Sequence, residues 1–233
     1  MTGVFVKPFT DPRRAAAAAA HHTWLVGLDS GVAMPHLIEI RPDALVFDHV
    51  DGAHPGAGDL GRVADALGRL HGAAHTRYLH TATLHTPFPA GRGLVITDFH
   101  SPRRTVLETL PAPLRSALGP DAAVAIYKDA NLRNFLLTDT TVSIVDFDDL
   151  TLAPFGYDLA KLVVSTAMTH GRPDPDEIDH ALRTYNTHTA AGGTCSVPQF
   201  HAYAELHHQL TAPYLHRNGY RHPWPAVRPW AAR

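Results

Sequence analysis

The 233-residue sequence has a single cysteine, Cys195, so no disulfide can close within the chain. That suits a reducing compartment. It lacks any apolar run near the roughly 18 residues of a membrane span; its alanine run, 15–20, is short. Its first residues lack the basic-then-apolar order of a signal peptide. It also lacks an excess of either charge. With 20 Lys and Arg against 22 Asp and Glu, the formal net charge is −2. No uniform basic field is available to recruit nucleic acid or anionic lipid. No complete Gly-x-Gly-x-x-Gly and no His-Glu-x-x-His occurs. These absences leave a soluble, cytoplasmic globular protein as the expectation, with neither nucleic acid nor membrane as a partner.

Apolar residues at 45% and charged residues at 18% are enough to build a core and argue against general disorder. The unusual abundance is 18 histidines. If half were protonated near pH 6.5, the net charge would move to about +7. The pairs His71/His75, His21-His22 and His207-His208 read as partly exposed helix residues. A zinc reading lacks the usual ligand motif.

Residues 4–9 predict a strand. Asp11-Pro12 then predicts an N-cap and first helical position, with a helix to about Leu28. Two strands follow at 37–40 and 44–47, and a loop at 51–58. Asp59 starts a helix in which Leu60, Val63, Ala64, Leu67, Leu70 and Ala74 share one face. Short helical stretches are expected near 106–110 and 114–118. Strands are expected at 123–126, 135–137 and 142–145, and helices at 158–170, 175–191 and 197–217. The proline-bearing tail 220–233 is expected to be extended. A small α+β lobe, residues 1–52, would precede a larger helical lobe, residues 53–233.

The informative segment is Tyr127-Lys128-Asp129-Ala130-Asn131-Leu132-Arg133-Asn134, followed twelve residues later by Asp146 in Ile144-Val145-Asp146-Phe147-Asp148. Apolar runs flank both stretches, which places the polar side chains at strand ends. Asp-x4-Asn, then Asp after a hydrophobic strand, is the order used by phosphoryl-transfer sites of the kinase type. A hydroxyl acceptor needs a carboxylate to take its proton, and Asp129 is placed for that. Mg²⁺ prefers oxygen ligands, which the Asn134 amide and the Asp146 carboxylate supply.

This segment resembles the catalytic loop and metal-binding aspartate of the aminoglycoside phosphotransferase and choline kinase-like family, relatives of the protein kinases. Asp129, Asn134 and Asp146 match that pattern position by position. Gly156-Tyr157-Asp158-Leu159-Ala160 resembles the family's helix start, whose aspartate supports the loop. The resemblance implies an α+β, protein kinase-like bilobal fold with a reduced N-terminal lobe, ATP and Mg²⁺ as cofactors, and a small-molecule or peptide-derived hydroxyl acceptor. It further implies that Lys7 contacts the α/β-phosphates and that Asp48, His49 and Val50 hold the adenine.

Three departures stand beside it. Only six residues precede Lys7, too few for the family's nucleotide-covering strand pair. The helix after Lys7 carries no glutamate to orient that lysine; the first glutamate is Glu39. Lys7 therefore either lacks its orienting partner or uses Asp11 or another aspartate. Tyr127-Lys128 replaces the family's His-Gly, so Lys128 either sets a cation near the γ-phosphate or is an internal counter-charge. Asp148 is expected to cap its turn, contact with metal or ribose-phosphate groups being the alternative, and Arg133 to pair with a nearby carboxylate. The acidic cluster at 174–179 would suit a cationic acceptor or simply favour a helix start. The alternative function is a pseudokinase or nucleotide-binding partner module without turnover, within which a place in a peptide-modifying complex is a further alternative.

Overall fold

The computed structural model describes residues 3–109 and 122–231. Strand β1 (Val4–Pro8) leads into α1 (Pro12–Val26), then β2 (Leu37–Ile40) and β3 (Ala44–Asp48). The Asp11 carboxylate accepts the Arg13 N–H at 2.9 Å, and Pro12 takes the first helical position, where a missing N–H is no loss. The three strands form an antiparallel sheet in the order β1-β3-β2. β3 is the buried centre; β1 is largely exposed. Ala18 and Ala19 of α1 pack on Leu45 and Phe47 of β3, a small core of its own. Alanine suits that role: it favours helix and lets helix and sheet approach closely.

Helix α2 (Leu60–Arg77) buries the predicted stripe from Leu60 to Ala74. A hairpin, β4 (Phe88–Gly91) and β5 (Leu94–Ile96), and a short α3 (Arg104–Thr109) follow. Then come β6 (Val124–Tyr127), β7 (Phe135–Leu137), β8 (Val142–Ile144) and β9 (Thr151–Pro154). β6 pairs with β9 and β7 with β8, both antiparallel. The chain closes with α4 (Tyr157–His170), α5 (Pro175–Thr189), α6 (Val197–Thr211) and α7 (Trp224–Val227).

One large core joins α2, α4, α5, α6 and the β6–β9 region. Helix α2 approaches α5 closely. A Cβ on Gly72 would stand 2.3 Å from the His188 carbonyl oxygen, so only glycine fits there. Gly156, at φ +82°, starts α4 against the buried Cys195. Burial pushes the Cys195 thiol up to about 12, which keeps it protonated and unreactive. Among the described residues no helix is long and apolar enough to cross a membrane.

Several expectations are corrected. The β4–β5 hairpin was not anticipated. It turns through Gly91, Arg92 and Gly93, all at positive φ. β9 was not anticipated either. Helix α6 stops at Thr211 because Pro213, lacking an N–H, follows in a 3₁₀ turn. The tail is not simply extended: α7 buries Trp224 completely, and its indole donates to Glu205 at 3.1 Å. The helical stretch expected at 114–118 lies outside the described residues.

Candidate active site

The loop after β6 is held from below. Asp158, fully buried in the first turn of α4, accepts the Ala130 N–H at 2.7 Å and the Lys128 N–H at 3.3 Å. Asn134 donates its side-chain amide to the Asp129 carbonyl at 2.7 Å, which leaves its amide oxygen free to act as a ligand. Asn131 caps the 3₁₀ turn at 132–134 and reaches Tyr220 in the tail at 2.9 Å. Asp129 and Asp146 both adopt positive φ, +67° and +68°. Such backbone is costly for a residue with a side chain and persists where the surroundings impose it, often at functional sites.

A cleft of about 510 Å³ opens between the three-stranded sheet and this loop. Its walls include Lys7, Asp48, His49 and Val50 on one side and Asn134 and Asp146 on the other. Lys7 donates to Asp146 at 2.6 Å and also to Asp148. The missing helix glutamate is thus replaced by two aspartates far along the chain. Asp148 is therefore a lysine partner as well as a turn residue. Arg133 was expected to pair locally; it instead lies exposed on the cleft wall and makes no ion pair among the described residues. Asp129 stands outside this cavity, with its side chain half-exposed.

Lys128, expected either near the γ-phosphate or as an internal counter-charge, is placed behind the cleft wall. It is buried, its ammonium donates to the Val145 carbonyl at 2.9 Å, and it lies over the Phe135 and Phe147 rings. Burial lowers its pKa; Asp158, Asp146 and Asp129 oppose that. Burial disfavours the charged form of Asp146, but the hydrogen bond and charge of Lys7 outweigh it and hold the carboxyl below its ordinary value. The acidic cluster sits elsewhere. Asp174 caps α5, and Glu177 lines a separate cavity with Arg62, Asp65, Arg69 and His180.

The histidines are another correction. His21, His22, His71 and His207 are buried, not partly exposed. They act as staples: His22 to the Pro35 carbonyl at 2.8 Å, His71 to the Tyr185 hydroxyl at 2.8 Å, His207 to the Tyr157 carbonyl at 2.9 Å. Burial lowers the pKa of His22, His71 and His207, so fewer histidines can take protons near pH 6.5 than the sequence count suggests. No group of three or more His, Cys, Asp or Glu converges on a metal-sized site among the described residues.

A pH dependence follows. His207 is fully buried, and the charges of Lys161 and Arg103 add to the effect of burial, holding its pKa well below the ordinary 6.5. A depressed base stabilises the fold above the unfolded value, and that contribution is lost as pH falls below about 6.5. Asp158, raised to about 6 by burial, and its neighbour His71, lowered to about 3 by burial and Lys128, largely offset each other. From pH 7 to 5 the His207 contribution is lost, His22 acts in the same sense, and the melting temperature should fall. His207→Gln should flatten that slope; an unchanged slope would remove His207 as its origin.

The family model described as the phosphotransferase enzyme family, APH, matches residues 7–194 of this chain. The chain belongs to that family. Among solved structures, macrolide 2'-phosphotransferase MphH from Brachybacterium faecium is 16% identical, with a TM-score of 0.59, covering 100% of this chain and 86% of that one. A choline/ethanolamine kinase family protein from Mesorhizobium loti is 19% identical, with a TM-score of 0.59, over 89% of this chain and 70% of that one. Amicoumacin kinase hAmiN, in complex with AMP-PNP, Ca²⁺ and Ami, is 14% identical, with a TM-score of 0.62, over 92% and 75%. No curated protein matches the chain in sequence. The fold is the mixed helix-and-sheet, kinase-like one expected of a phosphotransferase family member.

Two contacts of the candidate site were not specified by the sequence. Lys7 does use aspartates, but they are Asp146 and Asp148, across 139 and 141 residues, and no local signal marks those two. Lys161 stands 3.6 Å from Asp129. Its only signal is its place one turn after Tyr157 in the helix start already recognised.

Proposed function

We propose that this protein transfers the γ-phosphoryl group of ATP, with Mg²⁺, to a hydroxyl of a small molecule or natural product. The observation that carries the reading is the meeting of Lys7, Asn134 and Asp146 in one cleft, beside a loop that fixes Asp129. In the transfer, a bond forms from the acceptor oxygen to the γ-phosphorus as the bond to the ADP oxygen breaks. The hydroxyl proton goes to Asp129. Lys7 and the exposed Arg133 are the cations available to phosphate oxygens. The segment 48–50 lines the cleft where adenine would lie, and among the described residues the Val50 N–H has no backbone partner. Residues 1–52 and 53–233 would then act as the two lobes about that cleft.

The donor set fits the metal. The Asn134 amide oxygen and the Asp146 carboxylate are both hard oxygen ligands. Two protein oxygens completed by phosphate and water are the usual Mg²⁺ arrangement, rather than an all-protein cage. Asn134 and Asp146 would hold the metal there, and its positive charge would offset the negative charge that develops in transfer. Lys128 holds the Val145 end of the loop and so keeps Asp146 in place.

Thermal unfolding with and without Mg²⁺-ATP tests the reading. Ligand at 100 times its dissociation constant stabilises by about 2.7 kcal/mol. For a chain of this size the shift is roughly 5–10 °C. Wild type should show it, and Asp146→Asn should show much less. No shift with ATP, GTP or ADP would overturn the site. A shift without any turnover would return the chain to the nucleotide-binding module reading.

A further inference from the structure

Lys161 is a buried lysine whose ammonium the proposed chemistry does not use. It projects from α4 and meets three oxygens from three parts of the chain. These are Thr211 Oγ1 at the end of α6, at 3.2 Å, the Tyr220 hydroxyl in the tail, at 3.2 Å, and Asp129 Oδ1, at 3.6 Å. Its side chain is only 10% exposed. Asp129 is its one ion-pair partner among the described residues. The same Oδ1 accepts the Tyr127 hydroxyl at 3.0 Å. Oδ2 has no protein donor among the described residues.

Building on the phosphotransfer reading, we infer that Lys161 is a positioning residue for Asp129: with Tyr127 it holds Oδ1 and so leaves Oδ2 for the acceptor hydroxyl. The geometry supports this in three ways. An ammonium has three protons: it donates to Thr211 and Tyr220 at 3.2 Å each and faces Asp129 across an ion pair of 3.6 Å. A buried cation needs a carboxylate nearby, and Asp129 is the one supplied. One hydrogen bond, from Tyr127, and one ion pair, with Lys161, on a single carboxylate oxygen restrict side-chain rotation at a residue that is otherwise half-exposed. Thr211 and Tyr220 come from α6 and the tail, so the C-terminal end of the chain is tied to the orientation of the base. Tyr220 strengthens that tie, because its hydroxyl also accepts from Asn131 in the loop.

The test is a double-mutant cycle on the full chain. Turnover of Mg²⁺-ATP is read as inorganic phosphate released with water as the acceptor, and nucleotide binding is read in parallel as the thermal shift. Lys161→Met should lower turnover roughly ten- to a hundredfold with the nucleotide shift retained. Lys161→Arg should recover part of that loss. In an Asp129→Asn background, Lys161→Met should cost little more, because both act through one group. Phosphate release by Lys161→Met within twofold of wild type would overturn the inference. So would an equal loss in both backgrounds, which would mark a merely structural lysine. No phosphate release by wild type would instead overturn the phosphotransfer reading and the role of Lys161 with it. The unfolding cycle on the same four proteins separates the two failures. Equal destabilisation by Lys161→Met in both backgrounds would show that Lys161 does not hold Asp129 at all.

Discussion

Asp129→Ala is expected to lower phosphoryl transfer by roughly 10²–10⁴, the usual worth of a positioned base. Binding of Mg²⁺-ATP should change little, because Asp129 lies outside the cavity that Lys7, Asn134 and Asp146 line. The loop should survive the change. Its backbone is held by Asp158 through Ala130 and Lys128, and by Asn134 through the Asp129 carbonyl, none of which uses the Asp129 carboxylate. One complication is the backbone: at φ +67°, alanine is less comfortable than aspartate. Asp129→Asn removes that complication, since asparagine tolerates the left-handed region as well as aspartate does. It keeps shape and removes the base. The two variants should therefore lose similar amounts of turnover, with the thermal shift retained in both. A loss below tenfold in Asp129→Asn would remove Asp129 from the role of base.

The parts of this molecule that were legible in advance are those whose signals are local. Asp11-Pro12 starts α1, the Leu60-to-Ala74 stripe makes α2, and the strand-flanked segment 127–146 forms the loop and one wall of the cleft. Each is decided by neighbours within a few turns. What escaped depends on partners far along the chain. β9 is four residues long, ends at Pro154 and directly follows an acidic turn, so only its pairing with β6 reveals it. The β4–β5 hairpin is written in Gly91-Arg92-Gly93, but its strands are too short to show a clear alternation. The histidines read as surface residues because the carbonyls and hydroxyls they staple come from other elements. Lys7 is the sharpest case. Its helix offers no glutamate, and its partners belong to the strand end that also carries the proposed metal ligand. A single lysine thus links the N-terminal sheet to the far wall of the cleft.

The largest effect on stability is expected at Asp158. Its two oxygens each accept one loop N–H, from Ala130 and from Lys128. It is also the foremost of the carboxylates that oppose the burial of the Lys128 ammonium. Asp158→Asn keeps the shape but has one acceptor oxygen, so an amide N–H₂ must face a backbone N–H at one of the two positions. It also leaves Lys128 buried without its main counter-charge. Breaking a buried pair by removing one partner typically costs about 3–5 kcal/mol. That corresponds to a fall in melting temperature of roughly 6–20 °C. The pH dependence of the difference has a definite sign. Burial raises Asp158 to about 6, above the ordinary carboxylate value of 3.8. Its contribution to wild-type stability is therefore greatest below the unfolded value and is lost as pH rises through about 6. Asparagine has no such titration, so the gap between wild type and Asp158→Asn should be wider at pH 5 than at pH 7.5. Unfolding midpoints of both proteins across that range decide the matter. A gap that stays constant from pH 7.5 to 5 would mean that Asp158 is ionised throughout that range and that Lys128, not burial, sets its charge.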